Sequence, residues 1–153
     1  MKPRVGITMG DVCGIGPEIV ARVVTDPEVL DIADICVVGD ARALERARRV
    51  VGGAFEIARF RPGDRLPEVP AGSVACADPD LGVGDLPYGK VDGRAGDAAY
   101  QFLKAAVEMA QAGQVDAIAT APLNKEALHA GGHHYPGHTE ILAHLTETDT
   151  YSM

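Results

Sequence analysis

Apolar positions in the first part of the chain switch between strand-like alternation and helix-like spacing. Apolar side chains alternate with others in residues 5–9 and stop at Gly10, which predicts a first β-strand. Pro17 then stands at a favourable first helical position. The helix after it is predicted to bury an apolar stripe of Ile19, Val20, Val23 and Val24.

The same order repeats in the next segment. Residues 35–38 form an apolar run that predicts a buried strand, bounded by Gly39 and Asp40. Asp40 is a favourable N-cap, and Gly52 is a favourable stop for the helix that lies between them. The inner face of that helix is predicted to hold Leu44, Ala47 and Val51.

The middle of the chain is broken up by prolines. Only two short strands are predicted there, near residues 55–60 and 74–77. The longest helix is predicted to begin near Gly96 or Asp97 and to end before Gly113.

A further strand and two short helices complete the predicted elements. Residues 115–120 are mostly apolar, which predicts a parallel strand buried on both faces. Helices are predicted at residues 125–130 and 139–146, and residues 151–153 have the pattern of another strand's beginning. Alternating strands and helices give an α/β fold. Residues 1–153 are therefore expected to form a single α/β segment that is incomplete.

Composition and charge exclude some classes of partner. Apolar residues make up 46% of the 153 residues and charged residues 24%, which is ordinary for a globular protein. The formal net charge of −8 argues against nonspecific binding to nucleic acid or to an anionic membrane. No apolar run reaches membrane-spanning length, and the N-terminus lacks a signal peptide pattern. Three widely separated cysteines without a CxxC pair fit a reducing compartment, so a cytoplasmic location is expected.

Two loops at predicted strand ends could bind an anion. The loop between Gly10 and Glu18 leads into a helix, where free backbone N–H groups favour anionic ligands. It matches neither GxGxxG nor a Walker loop, and Asp11 opposes a phosphate, so a tight turn that needs glycine for its geometry is the other interpretation. In residues 120–125, Asn124 could cap a helix, and Lys125 could meet a phosphate or lie in solvent.

The histidines suggest a third site. All five fall within one short region, at His129, His133, His134, His138 and His144. Such clustering favours a metal site, but glycines and a proline lie among them, so helical spacing cannot be assumed. An exposed turn at His133 and His134 and a helix-surface position for His144 are the alternatives. His138 precedes Thr139, a natural N-cap, and together they could clamp an oxyanion or a substrate hydroxyl.

Three segments, taken in order, resemble the 4-hydroxythreonine-4-phosphate dehydrogenase family. They are Ile7-Thr8-Met9-Gly10-Asp11 with Gly14-Ile15-Gly16-Pro17-Glu18, Ala119-Thr120-Ala121-Pro122-Leu123-Asn124-Lys125, and Tyr135-Pro136-Gly137-His138-Thr139-Glu140. The family usually has Pro-Ala where this chain has Val12-Cys13. The resemblance covers the whole chain, with a looser middle.

The resemblance implies a fold and an activity. The fold is a three-layer α/β/α arrangement similar to isopropylmalate and isocitrate dehydrogenases, seen here as a truncated N-terminal part of a homodimeric enzyme. The activity is the NAD- or NADP-dependent oxidation of a phosphorylated hydroxy acid such as 4-phosphooxy-L-threonine, assisted by a divalent metal (Zn, Mg, Co or Mn). Decarboxylation follows in the vitamin B6 biosynthetic enzymes.

The resemblance also implies residue roles. His138 and Thr139 match the family's substrate-binding pair. The family's three metal-ligating histidines lie beyond Met153, which argues against a metal site in the histidine cluster of this chain. Residues 1–153 alone are therefore expected to be inactive.

Related activities remain open at this point. The branch that acts on 4-phospho-D-threonate or phospho-erythronate is also resembled by Asn124-Lys125-Glu126-Ala127-Leu128 and His134-Tyr135-Pro136-Gly137-His138-Thr139-Glu140. Another relative of the family oxidises dihydrodiol carboxylates in catabolism. A catalytically empty binding or interaction module is the alternative of another class.

Overall fold

Five parallel strands form the centre of the molecule. The computed structural model describes residues 1–152. The strands are β1 (Arg4–Thr8), β2 (Asp34–Val38), β3 (Glu56–Phe60), β4 (Ser73–Ala77) and β5 (Ala117–Thr120). They lie in the order β3-β4-β2-β1-β5. The register pairs Gly6 with Cys36 on one side of β1 and with Ile118 on the other.

Six helices connect and flank the strands of the described chain. They are α1 (Gly16–Val23), α2 (Pro27–Ile32), α3 (Ala41–Val51), α4 (Gly93–Gln111), α5 (Lys125–Ala130) and α6 (His138–Leu145). The connections through α1 and α3 move along the sheet in one direction, and the connection through α4 moves in the other. Because such crossovers are right-handed, α1 and α3 cover one face and α4 covers the other. The predicted three-layer α/β/α class is confirmed.

Local sequence signals explain where α1 and α3 begin. Pro17 stands in the first turn of α1, as predicted. Asp40 caps α3 by accepting 2.9 Å hydrogen bonds from the backbone N–H groups of Arg42 and Ala43. Gly52 ends α3 in the left-handed conformation, with φ 69°.

In α1 the predicted stripe is wrong at Ile19, which is exposed because it faces away from the sheet.

Two helices differ from the sequence prediction. The short helix α2 was not predicted, and it begins where Asp26 accepts hydrogen bonds from the N–H groups of Glu28 and Val29. Helix α4 begins at Gly93, earlier than predicted, because Asp92 caps it through the N–H of Arg94 at 2.9 Å.

The prediction that β5 is buried on both faces is wrong. This strand is parallel to β1, as expected, but it lies at the edge of the sheet in residues 1–152. Ala117, Ala119 and Thr120 are exposed, and Ile118 is half-buried. An apolar sequence indicates that a strand is suited to burial. Whether it is buried depends on which other elements pack against it.

The ends of the described chain add two observations. Tyr151 and Ser152 lie in no strand, contrary to the expectation for residues 151–153, and Met153 lies outside the described residues. None of the helices in residues 1–152 is long and apolar enough to cross a membrane.

Candidate functional site

Buried aspartates follow three strands at the edge of the sheet where β1, β2 and β4 end, which we call the carboxyl edge. They are Asp11, Asp40 and Asp78. Asp40 caps α3, and Asp78 accepts hydrogen bonds from the N–H groups of Ala41 at 3.0 Å and Asp80 at 2.8 Å. Asp40 and Asp78 therefore hold the loops of this edge in place, whereas Asp11 lies within the first candidate loop.

Close packing requires glycine at two positions of the loop after β1, Gly10 and Gly16. Gly10 has φ 69°, and a Cβ there would overlap the carbonyl oxygen of Pro122. A Cβ at Gly16 would overlap the carbonyl oxygen of Met9. These contacts favour the interpretation of a tight turn that needs glycine for its geometry.

Asp11 is an acceptor in this turn. Its Oδ1 accepts a 2.9 Å hydrogen bond from the N–H of Cys13. Burial raises the pKa of Asp11, and the charge of Asp92 raises it further, while the Cys13 N–H opposes the shift. A carboxylate in this position disfavours a bound phosphate at the turn itself.

The second candidate loop lies against the first. The N–H of Asp11 donates a 3.0 Å hydrogen bond to the carbonyl oxygen of Pro122. Asn124 caps α5, as one interpretation predicted, through a 2.9 Å hydrogen bond from the N–H of Ala127. Lys125 is exposed at the first position of α5. The two loops thus form one surface at the carboxyl edge, where open α/β sheets place their ligands.

Helix α4 brings two charged residues to this surface that the sequence analysis did not single out. Its cap Asp92 pairs with Arg94 at 2.7 Å. Both charges are close enough to Cys13 to affect the pKa of its thiol, which burial raises. The sequence signal for this position was the Asp92-Gly93-Arg94 triplet that begins α4.

The three cysteines are buried free thiols. Burial raises the pKa of each, to about 12 for Cys36. Because the thiolate is the nucleophilic form, none of them has the environment of a catalytic cysteine.

The histidines do not converge on one point. His129 and His134 are exposed, and His144 is exposed on α6, as predicted for a helix-surface residue. His133 is half-buried against α4, so the prediction of an exposed turn is wrong for His133 and correct for His134. Among residues 1–152, no group of three His, Cys, Asp or Glu side chains could hold a metal ion. The described residues therefore do not fit a divalent metal by themselves.

His138 and Thr139 stand at the beginning of α6. The N-cap is Gly137 rather than the predicted Thr139, because the helix already includes His138. Both side chains are half-buried, and no hydrogen bond engages the His138 imidazole or the Thr139 hydroxyl within residues 1–152. Burial lowers the pKa of His138, which favours the neutral ring. A neutral imidazole beside a hydroxyl can both donate and accept hydrogen bonds.

A small apolar cluster joins this pair to the rest of the fold. Ile141 of α6 is fully buried against Leu103 of α4 and Leu128 of α5. Gly96 of α4 lets α5 approach so closely that a Cβ there would overlap the backbone of Ala127. Helix α6 therefore packs against α4 and α5, and α5 directly follows the loop after β5.

A parallel sheet with loops at its carboxyl edge and an adjoining polar helix start defines an α/β protein of the ligand-binding, enzyme-like class. Residues 31–153 match the family described as pyridoxal phosphate biosynthetic protein PdxA. The chain belongs to that family, which confirms the resemblance.

Named relatives of the chain are dehydrogenases. The chain is 44% identical over 151 residues to a D-threonate 4-phosphate dehydrogenase of Cupriavidus necator, covering 99% of this chain and 45% of the relative. It is 40% identical over 153 residues to a 4-hydroxythreonine-4-phosphate dehydrogenase of Trichlorobacter lovleyi, covering 99% and 46%. The chain thus spans about half the length of these relatives.

A solved structure shares the fold closely. The crystal structure of a 4-hydroxythreonine-4-phosphate dehydrogenase from Burkholderia phymatum superposes with a TM-score of 0.91 at 51% sequence identity. The match covers 98% of this chain and 45% of that chain.

Proposed function

We propose that this chain is part of a longer, NAD- or NADP-dependent dehydrogenase that oxidises a phosphorylated hydroxy acid. The observation that carries the proposal is the His138–Thr139 pair, half-buried and unengaged at the beginning of α6, in a chain of this family. Both 4-phosphooxy-L-threonine, in vitamin B6 biosynthesis, and 4-phospho-D-threonate, in catabolism, belong to this substrate class. The names of the relatives support both.

The proposed role of the pair is to bind and orient the substrate. The neutral imidazole of His138 can accept from a substrate hydroxyl or donate to a substrate oxygen, and the Thr139 hydroxyl can do the same. A fixed substrate brings the carbon that loses hydride into the geometry that oxidation requires.

The remaining machinery is proposed to come from outside the described residues. A divalent metal (Zn, Mg, Co or Mn) supplies Lewis acid chemistry in such oxidations, and residues 1–152 do not fit it. We propose that residues beyond Met153 bind it, together with NAD or NADP. A homodimer in the cytoplasm, without nucleic acid or membrane partners, completes the proposal.

A substrate screen of the full-length protein tests this function. Phosphorylated hydroxy acids, their dephosphorylated forms and a dihydrodiol carboxylate are each incubated with NAD or NADP and a divalent metal. The proposal predicts NAD(P)H formation with a phosphorylated compound only. Residues 1–153 alone serve as the negative control. No NAD(P)H with any compound would favour a binding module, and turnover of the dihydrodiol alone would favour the other catabolic activity.

A further inference from the structure

We propose that His133 is a positioning residue that holds the turn of residues 131–137 on α4 and so presents His138 to the substrate. This inference rests on the proposed function of His138. The turn connects α5 to α6, and it is the segment that ends at the substrate-binding pair.

The His133 ring is held from two directions. Its Nε2 lies 2.7 Å from Oδ1 of Asp97, which is in the second turn of α4. The same ring stacks on Tyr100, with 3.9 Å between the ring centroids and 12° between the planes. Asp97 and Tyr100 are three positions apart on α4 and therefore lie on one face of that helix. The two contacts fix both the position and the plane of the imidazole.

The turn also approaches the backbone of α4. A Cβ at Gly131 would lie 2.6 Å from the N atom of Asp97, so only glycine permits the observed approach. The N–H of His133 donates a 3.0 Å hydrogen bond to the carbonyl oxygen of Leu128 at the end of α5. His133 thus joins the end of α5 to the face of α4 that carries Asp97 and Tyr100.

The rest of the turn continues this attachment toward His138. The Tyr135 ring is near-parallel to that of Tyr100, with centroids 6.0 Å apart and planes at 15°. The carbonyl oxygen of Tyr135 lies 3.1 Å from Nε2 of His129. Three positions later, α6 begins at His138.

Helix α6 has no side-chain cap that would fix its beginning. Its N-cap is Gly137, and the N–H of Ile141 reaches the Gly137 carbonyl oxygen only at 3.4 Å. The position of His138 is therefore set by the turn before it and by the burial of Ile141 after it. Loss of the His133 side-chain contacts with Asp97 and Tyr100 therefore weakens the first of these two constraints.

His134 provides a matched comparison within the same turn. It is exposed, and its ring meets only His129, tilted by 43° at 5.4 Å. It is adjacent to His133 and chemically identical, but among the described residues it makes no side-chain hydrogen bond or ring stacking with α4.

The experiment measures steady-state kinetics of the full-length enzyme with its phosphorylated hydroxy acid. His133→Phe keeps an aromatic ring on Tyr100 but loses the bond to Asp97. Asp97→Ala removes the same bond, together with a 3.3 Å hydrogen bond from Gln101, from a side chain that is 46% exposed, so it is expected to fold even if the histidine variant folds poorly. Both are expected to raise the KM of the hydroxy acid about tenfold, because small misplacements of a positioned group weaken its interactions strongly. The KM of NAD and the thermal midpoint should stay near their wild-type values.

Two further variants, one conservative and one at the neighbouring histidine, are the controls. Asp97→Asn keeps an acceptor for the His133 N–H and is expected to restore the KM to within about twofold of wild type. His134→Ala is expected to leave it equally unchanged. If the KM rises only in variants whose thermal midpoint is also lowered, His133 has a stabilising role alone. That result would overturn the inference.

A double variant separates this inference from the proposed function. If His133 acts through His138, His133→Phe should add nothing in a His138→Ala background, since coupled residues are non-additive. Equal losses in both backgrounds would overturn the positioning role. If His138→Ala raises the KM while His133→Phe does not, only the positioning role fails. If His138→Ala itself changes nothing, both assignments fail.

Discussion

The backbone N–H of Asp11 donates a 3.0 Å hydrogen bond to the carbonyl oxygen of Pro122. This bond ties the loop after β1 to the loop after β5, although the two are far apart in the sequence. Gly10, with φ 69°, permits the close approach that the bond requires. The carboxyl edge of the sheet is therefore built by contact between loops as much as by the strands themselves.

Gly10→Ala should destabilise the protein. A left-handed backbone conformation costs a non-glycine residue about 1–3 kcal/mol, and overlap with the Pro122 carbonyl oxygen adds to it. Gly113→Ala is the matched control, because Gly113 has the same φ of 69° but open space around it. Denaturant unfolding of the full-length protein should show a larger loss for Gly10→Ala. Equal losses would show that the contact with Pro122 is unimportant.

His138→Ala should weaken the reaction without unfolding the protein. Removing a well-aligned hydrogen bond to a charged or polar substrate group costs about 1.5–3 kcal/mol, which corresponds to roughly a 10- to 150-fold loss in kcat/KM. His144→Ala, on the exposed side of α6, is the control. Steady-state kinetics and circular dichroism check both variants. Wild-type kinetics for His138→Ala would remove it from the site.

The titration of His138 should reflect its burial. Burial lowers the pKa of this imidazole from its ordinary value of 6.5, because the charged form is poorly solvated. The unfolded chain therefore takes up the proton first as the pH falls. Above pH 6.5 this residue has no effect on stability. As the pH falls from 6.5 toward the folded pKa, its destabilising effect grows, and at lower pH that effect stays constant.

An NMR titration of the His138 ring checks this prediction. The resonance is assigned with the His138→Gln variant, and the midpoint is expected below 6.5. A midpoint at or above that value would contradict a desolvated site.

The metal content should not depend on the turn between α5 and α6. His133 faces Asp97 and Tyr100, and His134 is exposed, so neither belongs to a cluster of ligands within residues 1–152. The full-length His133→Ala/His134→Ala variant is therefore expected to retain its divalent metal by elemental analysis. A chelator-treated wild-type sample gives the baseline. Metal loss in the variant would return the histidine cluster to a metal-binding role.

Local signals predicted much of the fold. Asp40 and Gly52 delimit α3 because capping is a contact between a residue and its immediate neighbours in the chain. The exposed β5 was missed for the opposite reason. Burial of a strand depends on elements that pack over it, and these are not encoded in the strand's own pattern.

The candidate site was less accessible from the sequence. The resemblance assigned His138 and Thr139 as binding residues. Their half-buried placement at the beginning of a helix that has no side-chain cap is visible only in three dimensions. The contact between His133 and Asp97 joins residues 36 positions apart, and spacing patterns cannot report such a contact. The histidine cluster looked like a metal site because proximity in the chain does not reveal which way each ring points.

The most direct test of the proposed dehydrogenase follows the hydrogen that is transferred. Full-length protein and a divalent metal are incubated, with NAD and separately with NADP, with 4-phospho-D-threonate or 4-phosphooxy-L-threonine that carries deuterium on carbon 3. Mass spectrometry then measures the reduced cofactor. Hydride transfer from the oxidised carbon predicts NADH or NADPH that is heavier by one deuterium and a 3-keto product or its decarboxylated form. Absence of reduced cofactor with either substrate and either cofactor, or reduced cofactor without deuterium, would contradict the proposed reaction.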